Sequence, residues 1–293
     1  MFFPMKTFSN FLASIKRCNM KLSCLSVSLF PAIVNGEMTI KEYALLCKDL
    51  GLDGFDLGMV QLKNHTPTYL KQVKRDIEEV GLGISMITTY PDFSHPDPIQ
   101  REREQEYLRQ DIALASNLGA RFLRVTAGQA HPETGVEEGI GWVVENFKKI
   151  APVSDKFGVQ LVYEDHSKPG AWDYMDFSNP PDIFLAIAEQ IKDTSIGINF
   201  DTANILVAGE DRTLEVLERV YDNVKTIHVA ETATKGKMDP VLLGTGIVPV
   251  KEVFSFLKSR NYQGWLNIEE WGSMGIEGVK KAVDYTRETW EKA

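Results

Sequence analysis

Four short stretches of the chain drive an apolar run into groups that titrate or bind metals. They are "LVYEDH" (161–166), "GINFDTAN" (197–204), "KTIHVAE" (225–231) and "WLNIEEW" (265–271). Burying charge is costly unless it is paired or bound to a cation. Side chains alternate across a strand, so each stretch has two parities. Within the apolar run of each, one parity is apolar: Leu161 and Tyr163, Ile198 and Phe200, Ile227 and Val229, Leu266 and Ile268. The other carries Glu164, Asp201, His228 and Glu269, each near a strand's C-terminal end. The same alternation selects Glu269 over Glu270. Three carboxylates cannot share a dry pocket without a cation to offset their repulsion. Their oxygens and one imidazole suit a single divalent ion such as Mn²⁺, Co²⁺, Mg²⁺ or Zn²⁺. The lack of cysteine in the set argues against a structural zinc site.

Taken singly, each residue has a plainer reading. Asp201 could cap the loop after its strand, and His228 could be a hydrogen-bonded core histidine. Glu164 could pair with Arg124, and Glu269 with Glu270 could form a solvated strand end. Together these readings need four coincidences of parity and strand end. His166, two residues past Glu164, falls at the pocket rim, between substrate contact and surface. The Gly244–Thr245–Gly246 turn could cradle a phosphate, but it is a generic loop signal.

The elements that must position these residues repeat along the chain. A helical stretch ends near Gly or Asn, and a short apolar strand follows at once, as in "IEEVGLGISMIT", "ASNLGARFLRVT" and "SDKFGVQLVYED". Gly just past a helix end takes a left-handed conformation at little cost. Thr39 with Glu42 fits a capping box. Thr66 before Pro67 fits an N-cap with Pro at the first helical position. With "KLSCLSVSLF" as the first strand, the pattern predicts eight strands and helices over 38–50, 67–80, 98–118, 137–157, 180–191, 212–222, 249–260 and 275–291. Eight such units match an α/β protein of the (β/α)8 TIM-barrel type, whose active sites lie at the C-terminal face. An open doubly wound sheet fits less well without a Gly-rich phosphate fingerprint. In earlier strands the alternation sets Ser26 and Ser28, Asp56, and Arg124 with Thr126 on the interior parity.

Composition narrows the function classes. The net charge is −9, which weighs against a nucleic-acid partner. No apolar stretch is long enough to span a membrane, so no membrane partner is expected. The three cysteines, Cys18, Cys24 and Cys47, have no paired spacing, which points to a reducing compartment without a disulfide framework. Residues 1–36 hold no Asp or Glu but four basic residues. The domain reading is an N-terminal extension over 1–19, disordered or targeting, followed by one barrel domain over 20–293. The expected location is cytoplasmic, with a targeting segment within 1–19 as the alternative.

At these residues the chain resembles the sugar phosphate isomerase/epimerase superfamily, whose fold is the xylose isomerase-like barrel. The likeness runs from about Met20 and rests on Glu164 in "YEDH", Asp201 in "FDTAN", His228 in "IHVAE", the "LLGTGIVPV" loop and Glu269 in "GWLNIEE". It implies one metal ion held by Glu164, Asp201, His228 and Glu269, with the two glutamates moving the proton. It also implies a small carbohydrate substrate and a homodimer or homotetramer. Substrate contacts are expected at His166, Asn204, Glu231 and Arg124. Two of these depart from the family pattern. Asn204 stands where many epimerases carry a substrate-binding His, and Glu231 where many carry Asp.

The expected function is a metal-dependent sugar or sugar phosphate isomerase or epimerase that acts through an enediolate. The alternative is a dehydratase acting on a keto-inositol or keto-sugar. An endonuclease-branch relative would need more histidines than the five present. A non-catalytic sugar-binding protein on the same barrel is the remaining class.

Overall fold

All eight apolar runs form parallel strands, because each carries one face for a helix layer and one for an interior. They are β1 Lys21–Ser26, β2 Phe55–Gly58, β3 Ile84–Thr88, β4 Phe122–Val125, β5 Gln160–Glu164, β6 Gly197–Asp201, β7 Val224–Val229 and β8 Trp265–Glu270. The structure is a computed structural model, described over residues 20–167 and 172–293. The expectations for residues 1–19, and Cys18 with them, lie outside the described residues. The ladder runs β1-β8-β7-β6-β5-β4-β3-β2. Its two ends lie side by side. The seam is tied by the Asp53 amide to the Leu22 carbonyl at 2.8 Å, and by the Leu22 amide to Asp53 Oδ2 at 3.0 Å. The result is a (β/α)8 TIM barrel.

The helices are α1 Phe30–Val34, α2 Ile40–Asp49, α3 Pro67–Val80, α4 Pro98–Leu118, α5 Val136–Phe157, α6 Pro181–Ile191, α7 Asn204–Val207, α8 Thr213–Val220, α9 Val250–Ser259 and α10 Gly275–Lys292. The long helices follow the expected spans closely. The short α1 and α7 were not expected, since neither is long enough to show a 3.6-residue period. The Thr39–Glu42 capping box is present, and Thr66 Oγ1 caps α3 just ahead of Pro67.

The outer parity of the strands, from Leu161 and Tyr163 to Leu266 and Ile268, is buried in the main apolar core against the helices. Cys24 and Cys47 lie in that core as free thiols. The interior is layered. Its floor, at the N-terminal end, is a separate apolar plug of Met86, Phe122 and Val162 under Trp265. Above it comes a polar layer. Asn267 Nδ2 donates to Ser23 Oγ at 2.7 Å and to Asp56 Oδ2 at 3.0 Å, and Ser23 Oγ donates to Asp56 Oδ2 at 2.7 Å. A bulge at Ser85, where Phe55 pairs with Ile84 but Asp56 with Met86, lets Ser85 join this layer at 3.2 Å from Asn267 Nδ2.

One interior assignment is corrected. In β1 the inward residue is Ser23, whereas Leu22 and Cys24 belong to the helix-side core. Ser26 and Ser28 bond Glu270, the outer member of the Glu269–Glu270 pair. The chain leaves the strand at Val27 for a 3₁₀ turn, so alternation does not extend to Ser28.

Candidate functional site

The third interior layer, at the C-terminal mouth, holds the titratable groups. Glu164 ends β5 with both oxygens engaged. Oε1 accepts from Asn199 Nδ2 at 2.7 Å and lies 2.5 Å from His228 Nδ1. Oε2 lies 3.2 Å from Arg124 Nε. Asn199 is held in turn by Thr226 Oγ1, which donates to its Oδ1 at 2.7 Å. Asp201 ends β6 and turns one oxygen to the chain beyond it: Oδ1 accepts from the amides of Ala203 at 2.8 Å and Asn204 at 3.1 Å. That is the capping role the plainer reading assigned to it. Candidate ligand atoms of Glu164, Asp201 and His228 all lie within 4.8 Å of one another. Glu269 stands next to this trio, with Oε2 3.9 Å from His228 Nδ1. His228 is buried, and neither of its ring nitrogens has a hydrogen bond of normal geometry despite the close approach of Glu164.

The electrostatics follow from burial and neighbours. Burial opposes ionisation of Glu164, but the charges of Arg124 and His228 outweigh it and hold its carboxyl below the usual carboxylate range. Burial disfavours the charged form of His228, yet Glu164 and Glu269 raise it above an ordinary histidine. Asp165 behaves oppositely. Burial, and then the charge of Asp201, pushes it well above the usual range. Its Oδ1 accepts the Asp201 amide at 2.6 Å.

The expected substrate contacts divide. His166 is buried, not at the surface: Nδ1 lies 3.3 Å from Asp176 Oδ2, and Nε2 has no hydrogen-bond partner. Asn204 accepts Ser167 Oγ at 2.5 Å and leaves its buried Nδ2 unpartnered. Arg124 and Glu231 are differently engaged. Arg124 donates from Nη1 to the Thr89 carbonyl at 3.0 Å, faces Glu164, and sits 4.5 Å from the Tyr90 ring centroid. Glu231 accepts from the amides of Val248 at 2.9 Å, Thr232 at 3.2 Å and Gly244 at 3.2 Å. It thereby knots the Gly244–Thr245–Gly246 loop to β7. A side chain at Gly246 would meet Glu231 Oε1 at 2.5 Å and the Thr232 carbonyl at 2.3 Å, which accounts for glycine there.

Sequence reasoning gave no role to Asn199, Asp176, Tyr90 or Trp172. Asn199 had a usable signal, since it opposes Ile198 and Phe200 on an otherwise apolar strand. The other three lie outside the strands, where no periodicity marks them.

The comparisons agree with this architecture. The family model for the xylose isomerase-like TIM barrel matches residues 44–289. A putative hydroxypyruvate isomerase of Streptomyces coelicolor is 25% identical over 254 residues, covering 81% of this chain and 88% of that protein. An inosose dehydratase of Clostridium botulinum is 22% identical over 262 residues, covering 80% of this chain and 81% of that protein. Among solved structures, the IolI protein with a bound zinc atom superposes with a TM-score of 0.74 at 16% identity, covering 93% of this chain and 99% of that one. No helix among the described residues is long and apolar enough to cross a membrane. The chain, with eight parallel strands that bring Glu164, Asp201 and His228 to one end of the barrel, belongs to the xylose isomerase-like TIM-barrel family.

Proposed function

We propose that this protein is a metal-dependent sugar isomerase or epimerase that moves a proton on a carbon next to a carbonyl. The observation that carries the reading is the convergence of Glu164, Asp201 and His228 within 4.8 Å at the barrel mouth. The donor set fits a divalent ion. It has two carboxylates, an imidazole whose buried Nε2 lacks a hydrogen-bond partner, and Glu269 alongside. Glu164, Asp201, His228 and Glu269 would hold the ion. Once bound, it would supply positive charge to offset the negative charge that develops on the substrate oxygens.

The protein's own groups do the rest. Glu269 and Glu164 are the carboxylates available to take and return a proton. Arg124 and Asn199 fix the plane of Glu164 and keep it ionised, so Glu269 is the better acceptor for the first proton. Return of a proton from the opposite face inverts the carbon and gives epimerisation. Return to the neighbouring carbon gives isomerisation through the enediolate. We read Arg124 and Glu231 as positioning residues, and His166 and Asn204, with their unpartnered buried nitrogens, as substrate contacts.

The test has two parts. Chelator-treated protein should gain melting temperature with Mn²⁺, Co²⁺, Mg²⁺ or Zn²⁺, because an ion that binds only the folded state stabilises it. The gain should vanish in Asp201→Ala. The metal-loaded enzyme should then exchange solvent deuterium into a ketose, and Glu269→Gln should slow this by about 10²–10⁴-fold. Full-rate exchange in both Glu164→Gln and Glu269→Gln would sink the reading.

The inosose dehydratase relatives favour a second reading, loss of water from a keto-inositol after the same proton abstraction. Growth of an enone or diketone absorbance from such a substrate, with no epimer formed, would select it.

A further inference from the structure

Three aromatic rings stand beside the Glu164 cluster without a part in it. Tyr90, His166 and Trp172 form a closed triangle, with ring centroids 5.7 Å apart for Tyr90–His166, 5.8 Å for Tyr90–Trp172 and 5.9 Å for His166–Trp172. All three pairs meet edge to face. The triangle is coupled to the cluster through Arg124, which packs on the Tyr90 ring and reaches Glu164. Tyr90 follows β3, while His166 and Trp172 follow β5, so the rings rise at the C-terminal mouth. His166 is buried, but Trp172 is only partly covered.

The loop that carries Trp172 is held from outside. Gln129, beyond β4, accepts the amide of Asp173 at 2.8 Å and that of Tyr174 at 3.3 Å on its Oε1. Its Nε2 donates to Asp92 Oδ2 at 2.9 Å, and its own amide donates to Asp92 Oδ1 at 3.0 Å. His131 Nε2 adds a contact to Asp92 Oδ2 at 2.8 Å. Two backbone bonds complete the junction, from the Ala130 amide to the Met175 carbonyl at 2.9 Å and from the Phe177 amide to the Gly128 carbonyl at 2.7 Å. Three loops, after β3, β4 and β5, are thus clasped at one amide side chain. Such a clasp fixes the residue next to it, and that residue is the tryptophan whose ring meets Tyr90 and His166.

We propose that Trp172 is a substrate-contacting specificity residue, the outer wall against which the C–H face of a sugar packs, and that Gln129 is the residue that positions it. An aromatic face takes the apolar side of a sugar, leaving the hydroxyls and carbonyl free to turn to the acidic cluster. A sugar seated this way presents its reacting carbon toward Glu164 and Glu269. The proposal rests on reading the mouth as a sugar site.

The test uses the full-length chain loaded with Mn²⁺, with D-fructose and a keto-inositol as probes and affinity read by ligand-observed NMR. Trp172→Ala should weaken the better probe about tenfold, the order expected for one lost aromatic contact. Trp172→Phe should restore most of that loss. Gln129→Ala should weaken it less, and the double variant should be no worse than Trp172→Ala alone, because the two act through one contact. The melting-temperature rise with Mn²⁺ should be the same in the wild type and all four variants. Unchanged affinity in Trp172→Ala, additive losses, or a lost Mn²⁺ response would each overturn the proposal. So would a wild type that binds neither probe. Missing deuterium exchange with sugar binding intact sinks only the catalytic reading. Intact exchange with an indifferent Trp172→Ala sinks only this one.

Discussion

The two ends of the barrel interior use burial in opposite ways. At the floor, Met86, Phe122 and Val162 under Trp265 remove apolar surface from water and keep to one another. Burial there contributes directly to stability. At the mouth, Glu164, Asp165, Asp201, His166 and His228 are as deeply buried, yet they are carboxylates and imidazoles. Several buried polar atoms at that end, including His166 Nε2 and Asn204 Nδ2, have no hydrogen-bond partner. Burial at that end costs free energy, which other parts of the fold must offset. A protein under selection for stability alone would fill both ends like the floor. The mouth is therefore the end where chemistry is to be sought, and variants at the two ends should behave differently.

The largest effect should come from the floor. Phe122→Ala removes a buried ring from a plug that has few side chains to refill the space, and should cost about 3–5 kcal/mol. The rise in melting temperature on adding metal should persist in it, since the mouth lies two layers above. Urea unfolding with and without Mn²⁺ checks both halves. If Phe122→Ala lost its metal response, the two ends would not be separable.

Arg124→Met should sharpen the comparison from the other end. Arg124 is the permanently charged partner of Glu164, beside the titratable His228, and the Arg124–Glu164 pair is fully buried. Its removal leaves Glu164 to Asn199 and His228. Partners that orient metal ligands are worth about 10–100-fold in affinity, so Mn²⁺ affinity should fall by about that factor. A metal titration followed by melting temperature measures it. Unchanged affinity would mean that Arg124 pairs with Glu164 for stability and does nothing for the site.

The sequence was most legible where a period governs it. The α3 span could be read closely because a cap, an amphipathic stripe and a terminal Gly coincide, and the α4 span because Pro98 opens it and Gly119 closes it. The four inward residues on β5 to β8 could be read for the same reason, since one face of each strand is unambiguously apolar. Legibility failed at strand ends and in loops. Ser26 and Ser28 were set on the interior, yet Ser26 shares the helix-side parity of Leu22 and Cys24 and Ser28 lies in the 3₁₀ turn after β1. Arg124 could be placed inside but not oriented, because its choice between Glu164 and a substrate depends on two strands at once. Glu231 is engaged by amides of Val248 and Gly244, more than ten residues away, and no local pattern carries that bond. Tyr90, Trp172 and Gln129 meet only because three loops fold together.

The smallest predicted effect supplies a control: a half-buried carboxylate on the helix layer, outside the barrel interior. Asp111, on α4, has its carboxyl pushed up from 3.8 to about 7, first by burial and then by the negative charge of Glu104. No cation offsets it in an ion pair among the described residues. Its folded pKa lies above its unfolded one, so the fold favours the protonated form. That contribution is complete below 3.8 and is lost as the pH rises toward about 7. Asp111→Asn keeps the shape and cannot ionise. It should match the wild type near pH 4 and be the more stable protein at pH 8, by about 1–2 kcal/mol after allowing for partial exposure. Thermal melts at the two pH values measure the gap. An equal gap at both would mean that Asp111 is solvated enough to ionise freely.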